Sequence, residues 1–465
     1  MKILKKKEYE YTIYFGLLIF IGIIFFFYLG EQGYIIEKDS GVFLEKRVPS
    51  QYFVYPKFLV LCQIIFGEEN YLEWVSVIQG MFALGVSLIT TEYLRLVYKM
   101  NYWYGVIIFL CTFGPYAYSL PQYVSSHSIM TEGLSFPLFY LWMICVLQIY
   151  LKNKNIWFIS LFFLTTVMAY TRPQLTLLFF VCLVMVIDRI IFYFISKKNE
   201  KWRKRFAKIS VFICFMGLVL GIKVFLMFIE NNLYPQMTDA VAGRIFCTVE
   251  ATDAELFEGK NRDLFLGIYN EIEQMETRKC YFRKGIRKWE DIVNATNENT
   301  KKLSNIIRQY YMEVDMKEIN NIKGEMAYKL MIEHWDDYIT MSAELLLQSL
   351  VVSIFFHPES AYTLGYVVAM ILYGGGIASI VVSKKKYGIK KEYLVPLKIT
   401  MLVIGSICVI TNVLFIGIQR YVVYPWGFFY ISLIILYSEI REYRKIRHGD
   451  MYTEYLHHEF RLKLK

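Results

Sequence analysis

The sequence predicts an all-α polytopic membrane protein, and three observations lead there. The 465-residue chain is 56% hydrophobic and only 20% charged, with a mean hydropathy of +0.36, a balance unlike that of an ordinary water-soluble chain. Apolar runs recur that are long enough to cross roughly 30 Å of hydrocarbon as helices. Backbone polar groups cannot stay unpaired in lipid, so such runs must be helical. Third, Lys and Arg fall unevenly between alternate connections, which gives the chain a sidedness.

Ten spans are expected, near 12–30, 74–96, 103–120, 129–150, 156–171, 174–196, 209–230, 361–383, 395–418 and 421–440. The first has a basic leader but is long and lacks a small-residue cleavage site, so it is expected to be retained. With the N-terminus in the cytoplasm, the basic clusters Lys197, Lys198, Lys201, Arg203, Lys204, Arg205 and Lys208, and Lys384, Lys385, Lys386, Lys390 and Lys391, fall inside. The short outer connections keep mainly Lys38, Lys46, Arg47 and Lys57. The net charge of +10 is then a topology signal, and no nucleic-acid partner is expected. Both termini are expected to be cytoplasmic, in a plasma (inner) membrane.

The layout is seven spans, a hydrophilic stretch, then three spans. Residues 1–230 form the first module and 231–345 an extracytoplasmic, mostly helical region. Residues 346–440 form the C-terminal membrane region, and 441–465 a basic cytoplasmic tail. Helices are expected at 253–275, 301–316 and 323–339. The last would present Met326, Leu330, Met331 and Trp335 on one face as a lid against the membrane domain. Residues 341–356 are apolar but end at His357-Pro358-Glu359, which fits an interfacial or partly buried helix. In the first outer loop the aromatic run Tyr52-Phe53-Val54-Tyr55, followed by 57–66, predicts an interfacial helix. Of the eight cysteines, Cys247 and Cys280 fall outside the membrane, and pairing or two free thiols are both open.

Candidate chemistry gathers at the outer face. Glu37 and Asp39 follow the first span, and a carboxylate there can take a proton as a bond forms; the plain alternative is a solvated loop charge. Glu132 opens the fourth span, where an ionisable group needs a partner or a cavity, or serves as a helix N-terminal acid. His127 nearby is a candidate proton carrier or metal ligand. Arg172, after the fifth span, and Arg420, before the last, offer planar donor forks for a phosphate, or anchor span ends. Lys223 in the seventh span could reach a lipid phosphate, while Asp188 and Arg189 lie toward the inner half of the sixth. Motifs for nucleotide cradling, zinc proteolysis and paired-cysteine metal binding are all missing from the sequence, so nucleotide hydrolysis is unsupported.

The text Glu37-Lys38-Asp39-Ser40 in the first loop, Thr131-Glu132-Gly133-Leu134, Thr171-Arg172-Pro173 and Gln419-Arg420-Tyr421, with seven leading spans and a large outer loop, resembles the GT-C superfamily. These are integral-membrane glycosyltransferases that use polyprenyl-phosphate sugars, such as the protein O-mannosyltransferases and aminoarabinose transferases. The resemblance covers 1–230 well and 231–465 loosely. It implies Asp39 as the first-loop catalytic acid, a polar role near the donor for Glu132, and phosphate-side roles for Arg172 and Arg420, with Tyr421 beside the latter. Many relatives carry two adjacent acids where Lys38 here separates Glu37 from Asp39. The implied partners are a polyprenyl-phosphate-linked sugar donor, a glycan, lipid or protein acceptor, and membrane lipids. No cofactor is required by the sequence; some relatives use a divalent cation, and the metal is left unknown.

Three other readings compete, one of them a structural or assembly membrane protein in which every one of these acids is incidental. An O-antigen-type polymerase or ligase would place its chemistry in the large loop and need no first-loop acid. A non-enzymatic lipid or polysaccharide transporter should show repeat symmetry and midplane polar groups, and neither is visible in the sequence.

Overall fold

The computed structural model describes residues 2–37, 40–44, 53–117, 127–152, 156–195, 233–274, 289–312, 314–354, 363–386, 389–414 and 422–447, together with Phe215, Gly217, Val219, Ile222 and Lys223. These residues are 88% helical, and no named strand occurs among them. In the first part of the chain the helices are α1 (Lys2–Gln32), α2 (Ser40–Leu44), α3 (Val54–Phe66), α4 (Tyr71–Val97), α5 (Tyr102–Ala117), α6 (Glu132–Lys152), α7 (Ile156–Thr171) and α8 (Leu178–Ile195). Then come α9 (Leu233–Ile245), α10 (Lys260–Glu273), α11 (Trp289–Tyr311), α12 (Met316–Glu333) and α13 (Trp335–Ile354). The chain continues through α14 (Thr363–Lys386), α15 (Lys391–Leu414) and α16 (Trp426–Arg447).

Among the described residues five segments are long and apolar enough to cross a membrane: Tyr9–Tyr28, Tyr71–Val97, Glu132–Leu151, Leu364–Ser383 and Lys391–Val409. The predicted spans in α5, α7 and α8 are shorter apolar helices, and most of the predicted span 209–230 lies outside the described residues. Burial sorts the long segments into a centre and a periphery. The Glu132–Leu151 window is 72% buried, against 11% for Leu364–Ser383. Trp142, Phe139 and Tyr140 of α6 are wholly enclosed, whereas Leu364 and Met370 of α14 stand exposed. An apolar periphery of this extent is compatible with a membrane protein, because lipid removes the cost of leaving it uncovered by protein.

Helix ends follow local chemistry. Pro173 has no backbone N–H to give a regular helix, so the predicted span 174–196 opens with a 3₁₀ segment, Pro173–Leu177, before α8. The fourth predicted span starts three residues late, at Glu132, because residues before it are used elsewhere: Ile35 N–H donates to the His127 carbonyl at 2.8 Å and Ile129 N–H to the Ile35 carbonyl at 3.0 Å. A helix covers the expected 57–66 as α3, closed by Gly67 at φ +80°.

Helices α9 to α12 share an apolar core of their own, built from Ile245, Phe246, Leu264, Phe265, Leu303, Ile307 and Leu330 among others. This corrects the expected lid face. Met326 and Leu330 face that core rather than the membrane domain, and Trp335 is exposed. The expected helix 323–339 is interrupted at His334, and 301–316 ends at Tyr311, where the Asp315 carboxylate caps the next helix by accepting from Glu318 N–H at 2.8 Å. The apolar run from 341 continues α13 as a partly buried helix, and its Ser349 accepts a 2.8 Å hydrogen bond from the Asn412 side chain on α15. Buried Arg244 on α9 also donates to the Asn412 carbonyl, so the outer bundle is tied to α15 at one residue from two sides. Cys247 is a buried free thiol receiving a 3.0 Å hydrogen bond from Asn299, and Cys280 lies outside the described residues.

Candidate functional site

Two predicted site residues meet. Glu132, the first residue of α6, and Arg172, which follows α7, form an ion pair whose side chains are 1% and 4% exposed. The α6–α7 hairpin brings them together: α6 begins where α7 ends, and the Trp142 indole donates to Thr165 Oγ1 at 2.8 Å to hold the two helices side by side. Each charge would be costly alone in this setting, and pairing offsets that cost only while both remain. Thr131 Oγ1 donates to the second Glu132 oxygen at 2.9 Å.

A third participant escaped sequence reasoning. Tyr424, just before α16, is fully buried; its hydroxyl lies 2.7 Å from Ser135 Oγ and receives a 3.4 Å contact from Arg172 Nη1. Its ring packs between Phe136 and Phe139 of α6. The C-terminal membrane region thereby reaches the acid–base pair of the first module. Arg420 and Tyr421, which were expected to do this, lie outside the described residues.

The connection after α1 reaches the same place. Ile35 forms an isolated parallel bridge with Ser128, four residues before Glu132. Glu37 N–H donates to Ser40 Oγ at 2.8 Å and Ser40 N–H returns to the Glu37 carbonyl at 2.9 Å, closing a short turn. Asp39 itself lies outside the described residues. From the other side, Gln79 of α4 accepts from the Tyr55 hydroxyl at 3.0 Å and donates to the Ser128 carbonyl at 3.2 Å. Gly133 leaves the room for this: a Cβ there would run into the Gln79 side chain. A glutamine in the middle of an otherwise apolar span was the signal that could have found it, since buried amides in such helices need partners.

His127 is buried with its ring edge-on to Tyr28, centroids 6.2 Å apart. Burial pushes its pKa down, favouring the neutral ring, and Nδ1 has no hydrogen-bond partner among the described residues. Lys223 is buried under the same end of α7, donating to the Ala169 carbonyl and sitting 4.6 Å from the Tyr170 ring centroid. Asp188 is distant in role: it accepts from Tyr150 at 3.1 Å on an exposed flank. Among the described residues no group of three or more His, Cys, Asp or Glu is placed to hold a metal ion.

The assembled geometry is a buried acid–guanidinium pair at the α6 start and the α7 end, met by the segment at Ile35 and by Tyr424, with Lys223 bonded to the Ala169 carbonyl three residues before Arg172. Such an arrangement can hold an anionic group through a fixed guanidinium. No family model matches this chain, and neither a curated protein nor a solved structure is similar to it.

Proposed function

We propose that this protein is a membrane glycosyltransferase that moves a sugar from a polyprenyl-phosphate donor to an extracytoplasmic glycan, lipid or protein acceptor. The observation that supports the reading is the bridge between Ile35 and Ser128, which sets the segment just before Glu37 beside the segment that leads into the buried Glu132–Arg172 pair. In this reading ten spans cross the plasma membrane with both termini inside, and 231–345 stands outside as the acceptor region.

Asp39 takes the proton of an acceptor hydroxyl or amine while that atom attacks the anomeric carbon. The bond from that carbon to the phosphate oxygen breaks in the same step, and the phosphate leaves as an anion on the lipid. One-step attack from the opposite face inverts the anomeric centre, by the logic that separates inverting from retaining glycosidases. The positive charges of Arg172, Arg420 and Lys223 stabilise the charge the phosphate gains in this reading. Glu132 orients Arg172 through their ion pair, a role different from the direct one the resemblance implies. A divalent cation could share the phosphate.

The test is purified protein incubated with radiolabelled polyprenyl-phosphate sugars, with and without EDTA. Transfer or slow donor hydrolysis, lost in Asp39→Asn, is expected. Full activity in Asp39→Asn would favour a polymerase or ligase working through the outer region. No turnover with any such donor, together with substrate uptake by vesicles, would end the enzyme reading in favour of a transporter.

A further inference from the structure

The uncovered side of α12 and the start of α13 carry a stripe of large apolar residues. Tyr328, Ile332, Trp335 and Ile339 follow one another at steps of three or four, and each is between 56% and 62% exposed. Glu325, Lys329, Glu333 and Asp336 border the stripe and are exposed as well. The opposite face of α12, with Met326 and Leu330, is already occupied by the core of the α9–α12 bundle. A surface that faces only water seldom keeps a run of this kind.

Hydrogen bonds fix where the stripe stands relative to α15, one of the helices long and apolar enough to cross a membrane. α11 and α12 form a hairpin in which Lys323 Nζ donates to Ser304 Oγ at 2.9 Å. Asn299 and Tyr328 each lie five residues further from the turn than that pair, so the two are level. Asn299 donates to the Gly243 carbonyl at 3.0 Å, and the next residue, Arg244, donates to the Asn412 carbonyl on α15. Asn412 lies just past the apolar window of α15, which ends at Val409. Tyr328 is therefore near the level at which α15 leaves its apolar stretch, and Ile332 lies one turn further from the hairpin turn. The start of α13 is held at the same place. Tyr338, beside Ile339, shares a side-chain hydrogen bond with Arg244, and Ser349 takes the 2.8 Å bond from Asn412.

We infer that Tyr328, Ile332, Trp335 and Ile339 rest in the polar–apolar interface of the bilayer, so that the α9–α12 bundle lies against lipid. Tyr and Trp favour that layer, and the bordering charges can stay among the headgroups while the isoleucines meet acyl chain. Three carboxylates against one lysine give the border no attraction for anionic lipid, so buried apolar area holds the contact. The same acidic excess disfavours a second copy of the stripe as its cover. The inference rests on the membrane reading and not on the sugar-transfer chemistry.

The experiment places the photo-cross-linking residue p-benzoylphenylalanine in turn at Ile332, Trp335 and Ile339 of the full chain in phosphatidylcholine vesicles. Mass spectrometry after irradiation then reads the yield of phospholipid adduct. Met370, exposed on α14, is the lipid-facing control, and Tyr310, exposed beside the hairpin turn, is the water-facing one. Adducts are expected at all three stripe positions at a yield comparable with Met370, with only background at Tyr310. Background yields at two or more stripe positions, with adduct at Met370, overturn the inference and leave the membrane reading standing. Cross-links to protein in their place overturn it in favour of a second copy of the chain. An adduct at Tyr310 equal to that of the stripe overturns it as non-selective labelling. Background at Met370 as well would remove the membrane reading, and this inference with it.

Discussion

Glu132 and Arg172 stand 40 residues apart in sequence yet form a buried ion pair at the junction of α6 and α7. A buried pair is a poor source of net stability but a severe liability when broken, because the surviving charge keeps its desolvation cost without its partner. Glu132→Ala and Arg172→Ala are each expected to destabilise the protein by about 3–5 kcal/mol, and Glu132→Leu combined with Arg172→Met by much less. Thermal unfolding in detergent, arranged as a double-mutant cycle, measures the coupling. Additive losses would show that the two charges do not depend on each other.

Asp39→Asn is expected to reduce sugar transfer by about 10²–10⁴-fold, the usual contribution of a positioned general base, while leaving the melting temperature unchanged. Steady-state transfer assays beside a thermal melt separate these two readouts. A loss of activity that tracks a loss of folded protein would remove Asp39 from the chemistry.

Gly133→Ala should destabilise the α6 start, since its Cβ meets the Gln79 side chain. Shortening the neighbour in Gly133→Ala/Gln79→Ala relieves that clash but gives up the Gln79 hydrogen bonds to Tyr55 and Ser128. The double variant is therefore expected to be no less stable than Gly133→Ala and less stable than wild type. Unfolding midpoints of the three variants decide it.

His127 gives a pH signature. Its pKa is lowered in the fold by burial from the ordinary 6.5, so below that value the unfolded chain takes up a proton that the folded chain resists. Stability should be complete above pH 6.5 and fall as the pH is lowered from there toward the folded-state pKa. His127→Phe should flatten that part of the curve, and an unchanged slope would assign the acid sensitivity to other groups.

The helical class, the apolar runs long enough to cross a membrane and the ionisable residues at helix ends were legible because each is a local property. Hydropathy over about 20 residues identifies a crossing helix wherever its neighbours lie. The α3 helix and the late, proline-delayed entry into α8 likewise follow from residues within one or two turns. Glu132 and Arg172 could be singled out for the same reason: a charge at a membrane edge is costly whatever surrounds it.

Which charges meet was a different matter. The ion pair, the Tyr424 hydroxyl between Ser135 and Arg172, and the Gln79 contact under Ser128 join residues 40 to 289 positions apart, and no periodicity encodes such distances. The lid face went astray for a related reason. Met326 and Leu330 mark an apolar helix face, but only packing decided that the outer region would bury it in a core of its own. The sequence by itself determined the helices and which of their residues are costly to bury; the tertiary structure decided who shares that cost, because partners are chosen by proximity in three dimensions.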